Sequence, residues 1–136
     1  HRNLFMVLPG ALISILERGG DDELRAYFER RDQKRRSRRL AGWAKKIKSY
    51  QSQDVKAGRE FEPTQQYLTP EACVEIVAEQ NGVCALQLQG CAFNISDAKM
   101  TMDRVNSSEP HTAANCVMAC VQCNRLKRDA DVLYAA

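Results

Sequence analysis

Met102-Asp103-Arg104-Val105, then His111, then Asn115-Cys116, then Cys120-Val121-Gln122-Cys123-Asn124-Arg125-Leu126-Lys127 is the stretch whose reading decides this chain. Two thiolates with two residues between them can bind one metal ion without strain. Here they stand where an apolar strand gives way to a helix. Beside them lie an acid, a histidine and two asparagines, side chains able to hold a hard cation against a phosphodiester. Half of a tetrahedral thiolate site is therefore present, and the other half must come from upstream.

Six cysteines are available: Cys73, Cys84, Cys91, Cys116, Cys120 and Cys123. Cys84 and Cys91 are the nearest upstream candidates, although six residues separate them where zinc knuckles use roughly two to four. Gln87 stands where a tight knuckle would place its second cysteine. The expectation is a structural zinc held by Cys84, Cys91, Cys120 and Cys123; the alternative is that some of these are small buried residues. Cys73, on an apolar helix face, and Cys116, within a strand, read as core.

An even cysteine count also admits disulfides in a secreted chain. The apolar stretch 4–16 resembles a signal sequence, but Pro9-Gly10 interrupts it and no small-residue cleavage site follows. It is also too short to span a bilayer. Reduced, metal-bound thiols in an intracellular compartment are the expectation, with nucleus, organelle and virus unseparated. A chain opening on His1 reads as a fragment or a processed form.

The net charge of +3 hides a division. Residues 1–66 carry 15 Lys/Arg against 9 Asp/Glu, and residues 67–136 carry 5 against 8. Between Arg25 and Lys48 stand eleven basic residues and two acidic ones, Glu29 and Asp32. So dense a cationic block suits a phosphate backbone, because each neutralised phosphate releases counterions. A solvated helix face or a disordered basic arm is the alternative. Arg35, Arg36, Arg38, Arg39, Lys45 and Lys46 are the candidate contacts.

With 136 residues there is room for one domain and an appendage. A unit of about 70 residues usually needs a metal or disulfide staple, and zinc would supply it. Residues 1–20 form a short apolar segment suited to docking on a protein partner. Residues 21–52 read as one helix, opened by Asp21-Asp22, with Leu24, Tyr27, Phe28, Leu40, Trp43, Ile47 and Tyr50 at near-helical spacing. No apolar side chain lies between Phe28 and Leu40, so that section has only solvent or a ligand to face. Residues 53–68 read as a linker. Thr69-Pro70-Glu71 starts a helix that Asn81-Gly82 ends. Strands are expected at 100–105 and 116–119, around a loop at 106–115, before a helix over 123–130. The fold class is small α+β.

The order Thr101-x-Asp103-Arg104-Val105-Asn106, His111-Thr112-x-x-Asn115-Cys116, Cys120-x-x-Cys123-Asn124-x-x-Lys127 resembles the HNH endonucleases of the ββα-metal group. Asp54-Val55-Lys56-Ala57-Gly58-Arg59 and the run from Leu68 to Cys84 are similar to HNH-like reading frames of large viruses and mobile elements. The resemblance spans roughly residues 54–129. It implies a β-hairpin and helix holding Mg²⁺ or Mn²⁺ between Asp103 and Asn124, a loop pinned by Asn115, and phosphate contacts from Arg104, Arg125, Lys127 and Arg128. One position departs from the family. Arg104 stands where the general base is usual, and arginine cannot deprotonate water.

His111 is the sole histidine besides His1. It is either the base of a variant site, or a loop residue beside a different base, or part of a module that no longer cuts. The sequence thus points to a metal-dependent nuclease acting on DNA, with RNA open. The other reading is a non-catalytic nucleic-acid-binding or structural subunit of a larger complex, an organellar one included.

Overall fold

The computed structural model describes residues 9–60, 62–88, 90–91 and 95–128. Among them the protein is α+β. Helices α1 (Gly10–Arg18), α2 (Asp21–Ala57), α3 (Pro70–Glu79) and α4 (Val121–Lys127) accompany strands β1 (Met100–Arg104) and β2 (Cys116–Cys120). The chain divides into two compact units, His1–Arg38 and Arg39–Ala136.

In the first unit α1 buries Leu12 and Ile15 and ends at Gly19. Of the apolar docking segment expected over residues 4–16, the part before Pro9 lies outside the described residues. Leu12 and Ile15 are buried, and Ile13 and Leu16 are the segment's large exposed apolar side chains among the described residues. Asp21, Asp22 and Glu23 open α2, where carboxylates complement the unpaired amides of a helix start. All ten residues from Glu29 to Arg38 are exposed, as a stretch with no apolar face should be.

In the second unit α2 presents Trp43, Ile47, Tyr50 and Asp54 as one buried stripe. The helix expected to close near Ser52 continues to Ala57, because it is Gly58 that adopts the left-handed φ of +68°. The Gly58 amide then donates to Val55 O at 3.1 Å and the Arg59 amide to Asp54 O at 2.9 Å, a Schellman closure. Residues 53–68 are accordingly not a simple linker: they finish the helix and run into a bridge pairing Tyr67 with Thr112.

Thr69 caps α3 by accepting from the Ala72 amide at 3.1 Å, with Pro70 in the first turn. β1 and β2 pair antiparallel, with Met100 opposite Cys120 and Arg104 opposite Cys116. Their core face joins Met100, Met102, Cys116 and Met118 to Trp43, Ile47, Tyr50, Leu68 and Cys73. Cys73 and Cys116 are thus core residues. Burial pushes the Cys73 thiol up to about 12, and raises that of Cys116 as well, so both stay protonated. The last helix begins at Val121, not Cys123, because Cys120 caps it by accepting from the Cys123 amide at 3.3 Å.

Candidate metal centre and adjoining polar cleft

Three local devices gather the sulfurs. Gly82, at φ +71°, turns the chain after α3, and the Ala85 amide ties that turn to Met118 O at 3.0 Å. The Gln80 side chain extends the same tie, accepting from the Met118 amide and donating to Met118 O, both at 2.8 Å. The wide Cys84-to-Cys91 spacing then closes through two left-handed residues, Gln87 and Gly90. A Cβ at Gly90 would fall 2.8 Å from the side-chain Nε2 of Gln122, an exposed tip free to swing aside, so it is the φ of +82° that calls for glycine here.

The resulting Sγ atoms of Cys84, Cys91, Cys120 and Cys123 all lie within 4.8 Å of one another. Tetrahedral zinc with bonds of about 2.3 Å separates its sulfurs by about 3.8 Å. Cys91 and Cys120 are 3.9 Å apart, which fits. Burial disfavours a Cys84 thiolate, yet backbone amides, including that of Cys120 at 3.3 Å, bring its pKa below the ordinary thiol value. These four residues could hold a metal ion such as zinc.

Behind the hairpin the loop 106–115 is organised by Asn115. Its Oδ1 accepts from the Asn106 amide at 2.9 Å, and its Nδ2 donates to Asn106 O and Pro110 O at 3.1 and 3.0 Å. That pinning sets His111, 4% exposed, against α2. The His111 ring stacks on Tyr50, with centroids 4.4 Å apart and planes 8° from parallel. Its Nδ1 lies 2.9 Å from Asp54 Oδ2, which also accepts from the His111 backbone amide at 3.0 Å.

His111, Asp103 and Asn124 line one open cleft of about 350 Å³, together with Arg104 and Arg128. Burial lowers the His111 pKa below 6.5, with Asp54 opposing the shift, so the ring is neutral near pH 7. Among the described residues no fully buried side-chain nitrogen or oxygen lacks a partner. His111 Nε2 has no hydrogen-bond partner there, and so it reaches solvent. Asn124 donates through Nδ2 to Thr101 Oγ1 at 3.0 Å, which fixes the amide and leaves its oxygen for a ligand.

The donor set does not suit a resident Mg²⁺ or Mn²⁺ between Asp103 and Asn124. Asp103 is the one carboxylate lining the cleft, and Lys127 Nζ sits 2.8 Å from its Oδ2. With Arg104 and Arg128 added, the lining carries excess positive charge and suits an anion better than a second cation. A phosphate contact from Lys127 is likewise corrected. Its side chain is 1% exposed and also donates to Arg104 O at 2.6 Å.

The basic candidates separate in the same way. Arg35, Arg36, Arg38, Lys45 and Arg125 are exposed. Lys46 is not a free surface cation: it donates to Asp97 O at 3.2 Å and to Met100 O, and lies over the Trp43 ring. Arg39 pairs with Asp97 at 3.3 Å. Arg31, Lys34, Arg35 and Arg38 share one helix face at i, i+3, i+4 and i+7 spacing. Arg31 and Lys34, members of the Arg25–Lys48 block but not among the six contacts expected from sequence, join that face by periodicity. Asp54 is not among the site residues expected from sequence; its sequence signal is Ala57-Gly58-Arg59, a helix stop that folds Arg59 back onto it.

No protein-family model, curated protein or solved structure matches this chain.

Proposed function

We propose that this chain is an HNH-like, zinc-stapled endonuclease that hydrolyses DNA phosphodiesters, with His111 as general base. The observation that carries the reading is the common cleft: a neutral, carboxylate-anchored imidazole opens onto the same space as Asn124 and two arginines. His111 Nε2 takes a proton from water, which attacks phosphorus. Arg104 and Arg128 offset charge on the phosphate, and the departing 3′ oxygen takes its proton from solvent. Zinc, if held by the four cysteines, would keep hairpin and helix in register, and exposed arginines of α2 supply affinity without sequence preference. No step is assigned to a divalent cation, a departure from the family pattern.

The Lys127–Asp103 pair favours a second reading, a binding or structural module that grips nucleic acid at this cleft without cutting it. Plasmid nicking separates the two. The nuclease reading requires nicking by the purified chain that His111→Ala abolishes while DNA affinity stays. Affinity without nicking, with or without added Mg²⁺ or Mn²⁺, would leave the binding module.

A further inference from the structure

We infer that Asp54 is the positioning residue of His111, setting both the ring's orientation and the tautomer that leaves Nε2 facing the cleft with its lone pair. The Asp54 side chain is 4% exposed and collects four donors. Oδ1 accepts from Arg59 Nε at 2.8 Å, while Oδ2 accepts from the Tyr67 hydroxyl, the His111 amide and the His111 ring. Burial alone would raise this carboxyl; those hydrogen bonds outweigh it and hold the group at about 2.

An ionised carboxylate only accepts, so the neutral ring must carry its proton on Nδ1. Nε2 is then the acceptor, and stacking on Tyr50 fixes the plane of the ring. The two contacts from His111 to one oxygen restrain backbone and side chain together. A carboxylate needed merely to close the fold could use the backbone amide, Arg59 and Tyr67 alone. The ring contact is what adds a chemical consequence.

The catalytic consequence rests on the nuclease reading, whereas the tautomer does not, and the test keeps them apart. Long-range ¹H–¹⁵N spectra of the full chain above the His111 pKa should show Nδ1–H in the wild type. In Asp54→Asn, whose amide can donate to Nδ1, the ring should shift toward Nε2–H. Nicking should fall about 10²–10⁴-fold, the usual worth of a correctly poised base, with DNA affinity and bound zinc retained. Asp54→Glu should recover part of the rate. A wild-type ring protonated at Nε2 overturns the inference outright, and needs no variant to fold. So does an Asp54→Asn protein that keeps Nδ1–H and full activity. Nδ1–H in a wild-type chain that never nicks DNA would sink the nuclease reading and leave Asp54 as the residue that sets the tautomer.

Discussion

Lys127 Nζ and Asp103 Oδ2 are 2.8 Å apart, with both side chains at most 7% exposed, so the hairpin acid is neutralised by the helix that follows it. Removing one partner of a buried pair costs about 3–5 kcal/mol, because the other charge loses its counter-charge in a low-dielectric site. Lys127→Met should destabilise the chain by that order in urea denaturation, and Asp103→Asn/Lys127→Met should recover most of it. The single variant should also gain Mn²⁺ binding, read by electron paramagnetic resonance, that the double variant loses. Mn²⁺ held equally well by the wild type would show that Lys127 does not exclude a cation.

A thiolate centre that staples a small core should couple metal to folding. Zinc is expected at one per chain. Cys84→Ser, Cys91→Ser, Cys120→Ser and Cys123→Ser should each lower it, and a strong chelator should remove β-structure seen by circular dichroism. Cys73→Ala and Cys116→Ala should keep the zinc while losing core packing, because neither belongs to the cluster. Metal analysis of the six variants decides this.

The hairpin, the α3 start and the four-cysteine set were legible because each is a local signal: strand alternation, Thr69-Pro70, and paired thiols. The polar interior was not. Asp54 is 57 residues from His111 in sequence, and only the fold joins them. Read alone, Gln53–Asp54 looks like solvent-facing chain, and the Gly58 closure that buries Asp54 announces just a helix end. Lys46 and Lys127 failed for the converse reason. Charge predicts exposure on average, yet a long stem can carry an ammonium inward when backbone carbonyls or a carboxylate wait there.

Acid should weaken the second unit in two steps. The His111 pKa is lowered by folding, so below about 6.5 the unfolded chain binds the proton first and stability starts to fall. The Asp54 carboxyl is held at about 2 against an ordinary 3.8, so its contribution is complete above 3.8 and is lost as pH falls toward 2. That second step is worth about 2 kcal/mol. Urea midpoints measured from pH 8 to pH 2 should show both, and His111→Gln should remove the upper one.

Charge on α2 should act through affinity and not through stability. Arg31, Lys34, Arg35 and Arg38 are exposed on one face, so replacing all four with Gln removes surface cations and no buried side chain. Binding to duplex DNA should weaken, and the slope of log affinity against log salt should shrink by about 0.9 for each phosphate left without its cation. Urea stability should move by less than about 1 kcal/mol, as for surface changes generally. Lys46→Gln should do the reverse. Its ammonium is tied to Met100 O and Asp97 O beside the Trp43 ring, so the loss falls on the fold, with the salt slope unchanged. An unchanged slope in the fourfold variant would remove this helix face from nucleic-acid binding altogether.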